Sequence, residues 1–137
     1  MLKDFDESLS NLKNTSVRVS ATNAFPEAGT ASVQLLFADG SELRASYWRV
    51  TKDNRAVLSS FDHQQQYGLP APIDAIKGLQ EQLQDKTVSD VRLDRETGDL
   101  RFQFTDNIKL QVFNFTGYEV WEISFATGGG EYSNYAK

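Results

Sequence analysis

The chain has no cysteine, and its 137 residues include a single histidine, His63. The absence of cysteine excludes disulfide frameworks, thiolate nucleophiles and cysteine-based zinc sites. A lone histidine also leaves too few side chains of the kind that bind transition metals. We therefore expect neither a metal nor a cofactor.

Long apolar runs are also lacking. No stretch approaches the length of a membrane span, and the first residues have neither the basic start nor the apolar core of a signal peptide. The sequence therefore predicts a cytoplasmic protein with no membrane partner. A net charge of −5 opposes binding to phosphate backbones, so we expect no nucleic acid, whereas a basic protein would be attracted.

Two parts of the chain resemble each other. Residues 30–44 align without a gap with residues 97–111, and each copy is an alternating hairpin with an Asp-Gly or Asp-Asn turn. Upstream, residues 17–19 resemble residues 91–93, and downstream residues 48–50 resemble residues 121–123. The pattern predicts an internal repeat. Because a half of about 68 residues buries too little surface to be stable alone, we expect one domain, 1–137, in which halves of about 1–69 and 70–137 share a core.

Helical periodicity precedes each set of predicted strands. Apolar residues recur at spacings of three and four near the start of the chain and again after residue 72, and both stripes are typical of amphipathic helices. The predicted fold class is α+β, with two α-β-meander pseudo-repeats and an antiparallel sheet on which two helices pack. The residues of the two stripes are Leu2, Phe5, Leu9 and Leu12, then Ile73, Ile76, Leu79 and Leu83.

The polar segment around His63 is the principal candidate for a site. Ser59, Asp62 and His63 lie close in sequence, but neighbours on an extended chain point to opposite faces and do not make the geometry of a Ser-His-Asp triad. We interpret the segment as a loop that is either structural or ligand-binding. The candidate binding residues, including two tryptophans that suit an interface, are Trp48, Asp62, His63, Gln64, Tyr67 and Trp121.

Two motifs in the second half of the chain are the most specific part of the sequence, Asp-Leu-x-Phe-x-Phe at residues 99–104 and Tyr-Glu-x-Trp at residues 118–121. In these motifs, and over nearly the whole chain, the sequence resembles a family of small uncharacterised bacterial proteins. Similar small domains are associated with bacterial toxin-immunity systems. The resemblance therefore implies an immunity-type protein, and it carries over no catalytic residue.

The sequence thus favours a non-enzymatic cytoplasmic binding protein, with a protein such as a basic toxin as its partner. The alternative is a small-ligand domain with a pocket between the halves, where Trp48, Asp62, His63, Tyr67 and Trp121 converge. An enzyme ranks third, since nucleophile and metal inventories are thin. The oligomeric state is not predicted.

Overall fold

Helices and strands lie close to the positions that the sequence patterns predict. The computed structural model describes residues 2–22, 31–114 and 120–133. Alternation in the sequence predicts strands at 109–115, 118–126 and 131–135, so positions 115, 118–119 and 134–135 of these strands fall outside the described ranges. The chain is an α+β protein with short 3-10 helices at Ser60–Asp62 and Thr105–Asn107. Its other elements are α1 (Leu2–Ser10), β1 (Val17–Ala21), β2 (Val33–Phe37), β3 (Glu42–Ala45), β4 (Trp48–Lys52), β5 (Arg55–Ser59), α2 (Ala75–Leu83), β6 (Val88–Leu93), β7 (Leu100–Phe104), β8 (Ile108–Val112), β9 (Trp121–Ser124) and β10 (Gly130–Tyr132).

The strands form two antiparallel sheets of five strands each, and the sequence predicts antiparallel sheet without dividing it in two. The first sheet has the order β1-β2-β3-β9-β10, and the second has the order β5-β4-β8-β7-β6. The chain leaves the first sheet after Ala45 and enters the second at Trp48, and it returns to the first sheet at Trp121. Alternation in a sequence specifies which face of a strand is buried and not which strand lies beside it, so this division was not predicted.

Each sheet combines three consecutive strands from one half of the chain with the final hairpin of the other half. The registers correspond: Ala45 at the end of β3 pairs with Trp121, and Val112 at the end of β8 pairs with Trp48. An internal repeat with exchanged final hairpins would produce this order. The repeat itself stays a prediction, because agreement in strand order and register is weaker evidence than a superposition of the two halves.

The aligned hairpins end in turns of different geometry. In the β7–β8 turn both Asp106 (φ 62°) and Asn107 (φ 56°) are left-handed, as the sequence predicts for a two-residue turn. In the β2–β3 turn Gly40 has a φ of 97°, and the amide of Ser41 bonds the side chain of Asp39. The position of each turn was therefore predicted correctly, and the shared turn type was not.

One hydrophobic core takes residues from both sheets and both helices. Phe37 of the first sheet stacks on Phe102 of the second, with ring centroids 5.8 Å apart. Alternate residues of the central strands are buried, as in β2 and β8, so one face of each sheet points inward. The opposite faces carry the polar side chains.

The helices cover different edges of the two sheets. Helix α1 lies near β6, and Phe5 stacks on Trp121 at a centroid distance of 6.2 Å. Helix α2 lies against β1 and β5, and Gln80 donates a hydrogen bond to the carbonyl of Val19 at 2.9 Å. Asp74 caps α2 by accepting a bond from the amide of Lys77 at 3.1 Å. Each helix therefore lies at the open side of the sandwich, near strands of both sheets.

Candidate functional site

The two candidate tryptophans are buried, at 1% exposure for Trp48 and 2% for Trp121. The indole nitrogen of Trp48 donates to the carbonyl of Ala31 at 2.8 Å, and that of Trp121 donates to the carbonyl of Gly98 at 2.9 Å. Indole has a single donor, so both polar atoms are already satisfied within the fold. These residues act as core anchors and offer almost no surface to a ligand.

The family-like signature consists largely of core residues. Leu100, Phe102, Phe104 and Trp121 are each at most 2% exposed. Of the other signature positions, Asp99 is half-buried and accepts a hydrogen bond from the amide of Asn114 at 2.7 Å, and positions 118 and 119 lie outside the described residues. The described part of the signature therefore contributes mainly to packing between the sheets and does not form an exposed site.

The other four candidates lie together on the connection between β5 and α2. Asp62 closes a capping box with Ser59, accepting a bond from the Ser59 amide at 2.8 Å. The second oxygen of Asp62 accepts a bond from the hydroxyl of Tyr67 at 3.0 Å. This hydrogen bond to Asp62 raises the pKa of the Tyr67 hydroxyl. Asp62 and Tyr67 therefore form one linked pair on the surface.

His63 joins this connection to the start of α2. Its Nδ1 accepts a hydrogen bond from the backbone amide of Ala75 at 3.1 Å, so the Nδ1 atom carries no proton in this arrangement. The backbone of Gln64 donates to the carbonyl of Ile73 at 2.7 Å, and the amide of Ile73 donates to Gln65 at 2.9 Å. The loop is thus held against the helix by short-range bonds. Within the described residues the hydroxyl of Ser59 contacts Asp62 and forms no hydrogen bond with His63.

Exposed apolar side chains lie on the same connection and on strand β5, which precedes it. Among the described residues, the large hydrophobic side chains with high exposure are Val57 (46%), Phe61 (50%), Tyr67 (68%) and Leu69 (47%). The ring of Phe61 stacks on Tyr47 at a centroid distance of 5.6 Å. All four lie within residues 57–69, which we call the docking segment. Sequence reasoning selected Tyr67 and missed the other three, because an apolar residue in a strand or turn is usually a core residue.

Backbone strain accompanies this exposure. Gln64 (φ 65°) and Tyr67 (φ 46°) are both left-handed without being glycine. Such conformations are uncommon for side chains as bulky as tyrosine, and strained residues cluster at functional sites. Gly68, with a φ of 77°, lies next to Tyr67 in the same conformation and completes the turn.

A surface groove of about 790 Å³ lies between α2 and the first two strands. It is lined by residues of both halves, including Val17, Arg18 and Leu36 from the first half and Lys77 and Gln84 from the second. None of the six candidate binding residues lines it. This groove is therefore not the pocket that the sequence analysis places at Trp48, Asp62, His63, Tyr67 and Trp121. Four of the six candidates lie on the docking segment and two are in the core.

Residues 2–22, 31–114 and 120–133 contain neither a candidate metal site nor a candidate membrane span. Within these ranges no three His, Cys, Asp or Glu side chains form a group that could hold a metal ion. In the same ranges no helix has the length and apolar character needed to cross a bilayer. Comparison with protein-family models, with curated proteins and with solved structures finds no match for this chain.

Proposed function

We propose that the protein is a non-enzymatic, cytoplasmic binding protein that docks a basic protein partner through the docking segment. The observation that carries the proposal is the gathering of four exposed apolar side chains within residues 57–69. Aromatic side chains such as Tyr67 and Phe61 are the usual anchors of protein interfaces, because they bury much area and lose few rotamers. The exposed area supports binding to a protein surface.

The charge around the segment favours a basic partner. Between Arg55 and Lys77 the chain contains Asp62 and Asp74 and no lysine or arginine. A surface with apolar anchors and two carboxylates complements a partner with lysine or arginine around an apolar patch. In its narrower form, suggested by the resemblance, the proposal is that the partner is a basic bacterial toxin and that the protein is its immunity protein.

The segment is also held ready for binding. Its backbone bonds to Ile73 and the bond from Ala75 to His63 fix it on α2, and the Asp62–Tyr67 bond holds the most exposed ring. Ordering a flexible loop on binding costs about 0.5–1.5 kcal/mol for each immobilised side chain. A loop that is already ordered avoids most of this cost. The arrangement therefore favours recognition by preformed contacts.

The test is coexpression with the product of the gene adjacent to the one that encodes this protein. We expect a basic, growth-inhibiting product, rescue of growth by the wild-type protein, and a stable complex in gel filtration. The double variant Tyr67→Ala, Leu69→Ala removes two exposed anchors, leaves Phe61 on Tyr47, and should weaken binding at least about a hundredfold.

Leu36→Ala is the matched control, since Leu36 is a partly exposed leucine on the first sheet. It should bind as the wild type does. If the double variant keeps its melting temperature and rescues growth as well as Leu36→Ala, the docking segment is not the interface and the proposal fails.

A small-ligand function is the second candidate, and the groove between α2 and β1 favours it. A bound small molecule should shift the backbone amide resonances of residues 16–19, 80, 81 and 83–85, which line the groove, and leave those of the docking segment in place. Shifts confined to residues 57–69 would instead support the docking segment as the site.

A further inference from the structure

The strands of the second sheet are basic although the chain is acidic. Its five strands contain six basic residues and one acidic residue, a formal charge of +5, while the whole chain carries −5. The strands of the first sheet contain two basic and three acidic residues, a formal charge of −1. Charge is therefore segregated onto one sheet. The basic residues are Arg49, Lys52, Arg55, Arg92, Arg101 and Lys109.

Three of the arginines stand in one row across the outer face of this sheet. Arg49 pairs with Gln111, Gln111 with Arg101, and Arg101 with Arg92. Neighbouring strands lie about 4.8 Å apart, so the row spans about 14 Å. Lys109 lies in the next row, where it pairs with Thr51 and Gln103. We call these four cations, Arg49, Arg92, Arg101 and Lys109, the basic face.

Two arginines of the basic face form exposed ion pairs with nearby aspartates, and a partner's carboxylate can replace these aspartates. Arg92 is 79% exposed and bonds Asp90 at 2.8 Å, and Arg101 is 61% exposed and bonds Asp94 at 3.2 Å. Exposed ion pairs of this kind contribute about 0–1 kcal/mol, so a partner's carboxylate can replace or share them. Four cations against two carboxylates leave a charge of +2 on the face.

Arg49 and Lys109 have neutral partners. Arg49 donates to Gln111 at 2.7 Å and lies 5.2 Å from the ring centroid of Phe113, and Lys109 donates to Asn54 at 3.0 Å. The glutamine and the ring fix the guanidinium in place without neutralising it. A fixed guanidinium in a partly desolvated position is a strong, directional donor for a carboxylate.

We propose that the basic face is a docking surface for a carboxylate-rich segment of a partner protein. An extended acidic segment laid along the row meets guanidinium groups at strand spacing, and Gln111 supplies a polar contact between Arg49 and Arg101. This surface is separate from the docking segment, and its existence does not depend on the function proposed for that segment.

The same observations disfavour nucleic acid as the occupant. Single strands bind sheet faces by stacking bases on exposed aromatic rings, but the outward residues of the central strands are Arg49, Thr51, Arg101, Gln103, Lys109 and Gln111. Half of the charge on the face is already compensated by aspartates, and the remaining +2 is small beside the run of phosphates that a nucleic-acid strand presents. Two or three carboxylates suit a face of charge +2 better.

The test uses fluorescence anisotropy of a labelled oligoglutamate peptide at low ionic strength, with oligolysine and oligothymidylate of the same length as comparison probes. Arg101→Gln, Lys109→Gln removes two cations of the basic face. Asp94 stays satisfied without Arg101, because its low pKa comes first from backbone bonds donated by Glu96 and Thr97. The fold should therefore persist, as a thermal melt will show.

The matched control is Arg44→Gln, Lys86→Gln, which changes the net charge equally outside the strands of the second sheet. Like Arg101, each of these residues forms an ion pair, Arg44 with Glu122 at 3.3 Å and Lys86 with Asp106 at 2.6 Å. We expect saturable oligoglutamate binding that weakens with salt, a fall in affinity of about tenfold or more in the basic-face variant, and less than about twofold in the control.

Four results would overturn the proposal. No saturable binding of oligoglutamate would remove it, and equal losses in both double variants would reduce it to an effect of net charge. Tighter binding of oligothymidylate, lost in the basic-face variant, would assign the surface to nucleic acid. A concentration-dependent dimer in sedimentation, abolished in the same variant, would assign it to a second copy of this chain.

Discussion

The two sheets are alike on their inner faces and unlike on their outer faces. Trp48 begins β4 beside the last residue of β8, and Trp121 begins β9 beside the last residue of β3. Each indole bonds a backbone carbonyl, that of Ala31 or that of Gly98. The outer faces differ in charge, since the first sheet pairs Arg44 with Glu122 at 3.3 Å while the second carries the basic face.

The comparison separates what the fold requires from what the surface is free to vary. A buried side chain must fill its site and satisfy its polar atoms, so the two sheets use the same solution. An outer-face side chain contacts water on one side and contributes little to stability. The two sheets therefore differ mainly on their outer faces, where a change of side chain costs little stability. Binding surfaces are expected on these faces.

The largest expected effect tests whether the two tryptophans are equal anchors. Trp48→Ala and Trp121→Ala should each lower the free energy of unfolding by about 3–5 kcal/mol, because each leaves a cavity and an unbonded carbonyl. Urea denaturation of both variants measures the two losses. A loss for Trp121→Ala below about 1 kcal/mol would show that the inner faces are not equivalent.

A smaller effect on stability should distinguish the two serines that bond the backbone beside these tryptophans. Ser60 accepts one bond, from the amide of Trp48 at 3.1 Å, whereas Ser133 accepts two, from Val120 at 2.7 Å and Trp121 at 3.2 Å. Ser60→Ala should lower the free energy of unfolding by about 1 kcal/mol, since it leaves one buried amide without a partner. Ser133→Ala should lower it by about 2 kcal/mol, since it leaves two. Chemical denaturation that ranks Ser60→Ala as the costlier change would refute this account.

The smallest expected effect on stability comes from Glu131, a buried carboxyl of the first sheet whose place in the second sheet is taken by a leucine. Glu131 of β10 pairs with Ile123, while Leu58 of β5 holds the same place against Val50. Burial raises the pKa of the Glu131 carboxyl, so the folded state favours the protonated form. The contribution of Glu131 to stability is therefore largest in acid, and it is lost as pH rises from the ordinary glutamate pKa to the raised one.

Glu131→Gln should accordingly stabilise the protein at neutral pH, by less than about 1 kcal/mol, and the gain should vanish as the pH is lowered below the ordinary glutamate pKa. Thermal melts across this range provide the measurement. Glu122→Gln is the control, because it removes the ion pair with Arg44 and should give no gain. A gain for Glu131→Gln that persists in acid would exclude ionisation as its cause.

The periodicity of the sequence predicted helices and strands well, but it did not predict which strands pair. The apolar stripe at Ile76, Leu79 and Leu83 predicts α2, and the alternation from residue 99 to 105 predicts β7 to within a residue at each end. By contrast, the alternation from Ser41 to Trp48 predicts one strand, whereas β3 ends at Ala45 and Trp48 begins β4 in the other sheet. No local pattern marks that change of sheet, because the chain stays extended on both sides of it.

The candidate site shows the same limit. His63, Asp62, Gln64 and Tyr67 were found from the polar character of their segment, and they do lie together, although their binding role stays a prediction. Trp121 and Trp48 were chosen because tryptophan suits interfaces. Sequence alone cannot tell an exposed indole from a buried one, since burial depends on contacts with residues far along the chain.

The sequence by itself determined the α+β class, the places of the turns and the inward faces of the strands, because these depend on side-chain periodicity and on turn residues within a few positions. Only the tertiary structure decided that β4 and β5 join β8, and therefore that Arg49 stands in line with Arg101 and Arg92. Strand pairing brings together residues that lie more than forty positions apart. No local rule specifies such neighbours, so a surface built from them becomes visible only in the folded chain.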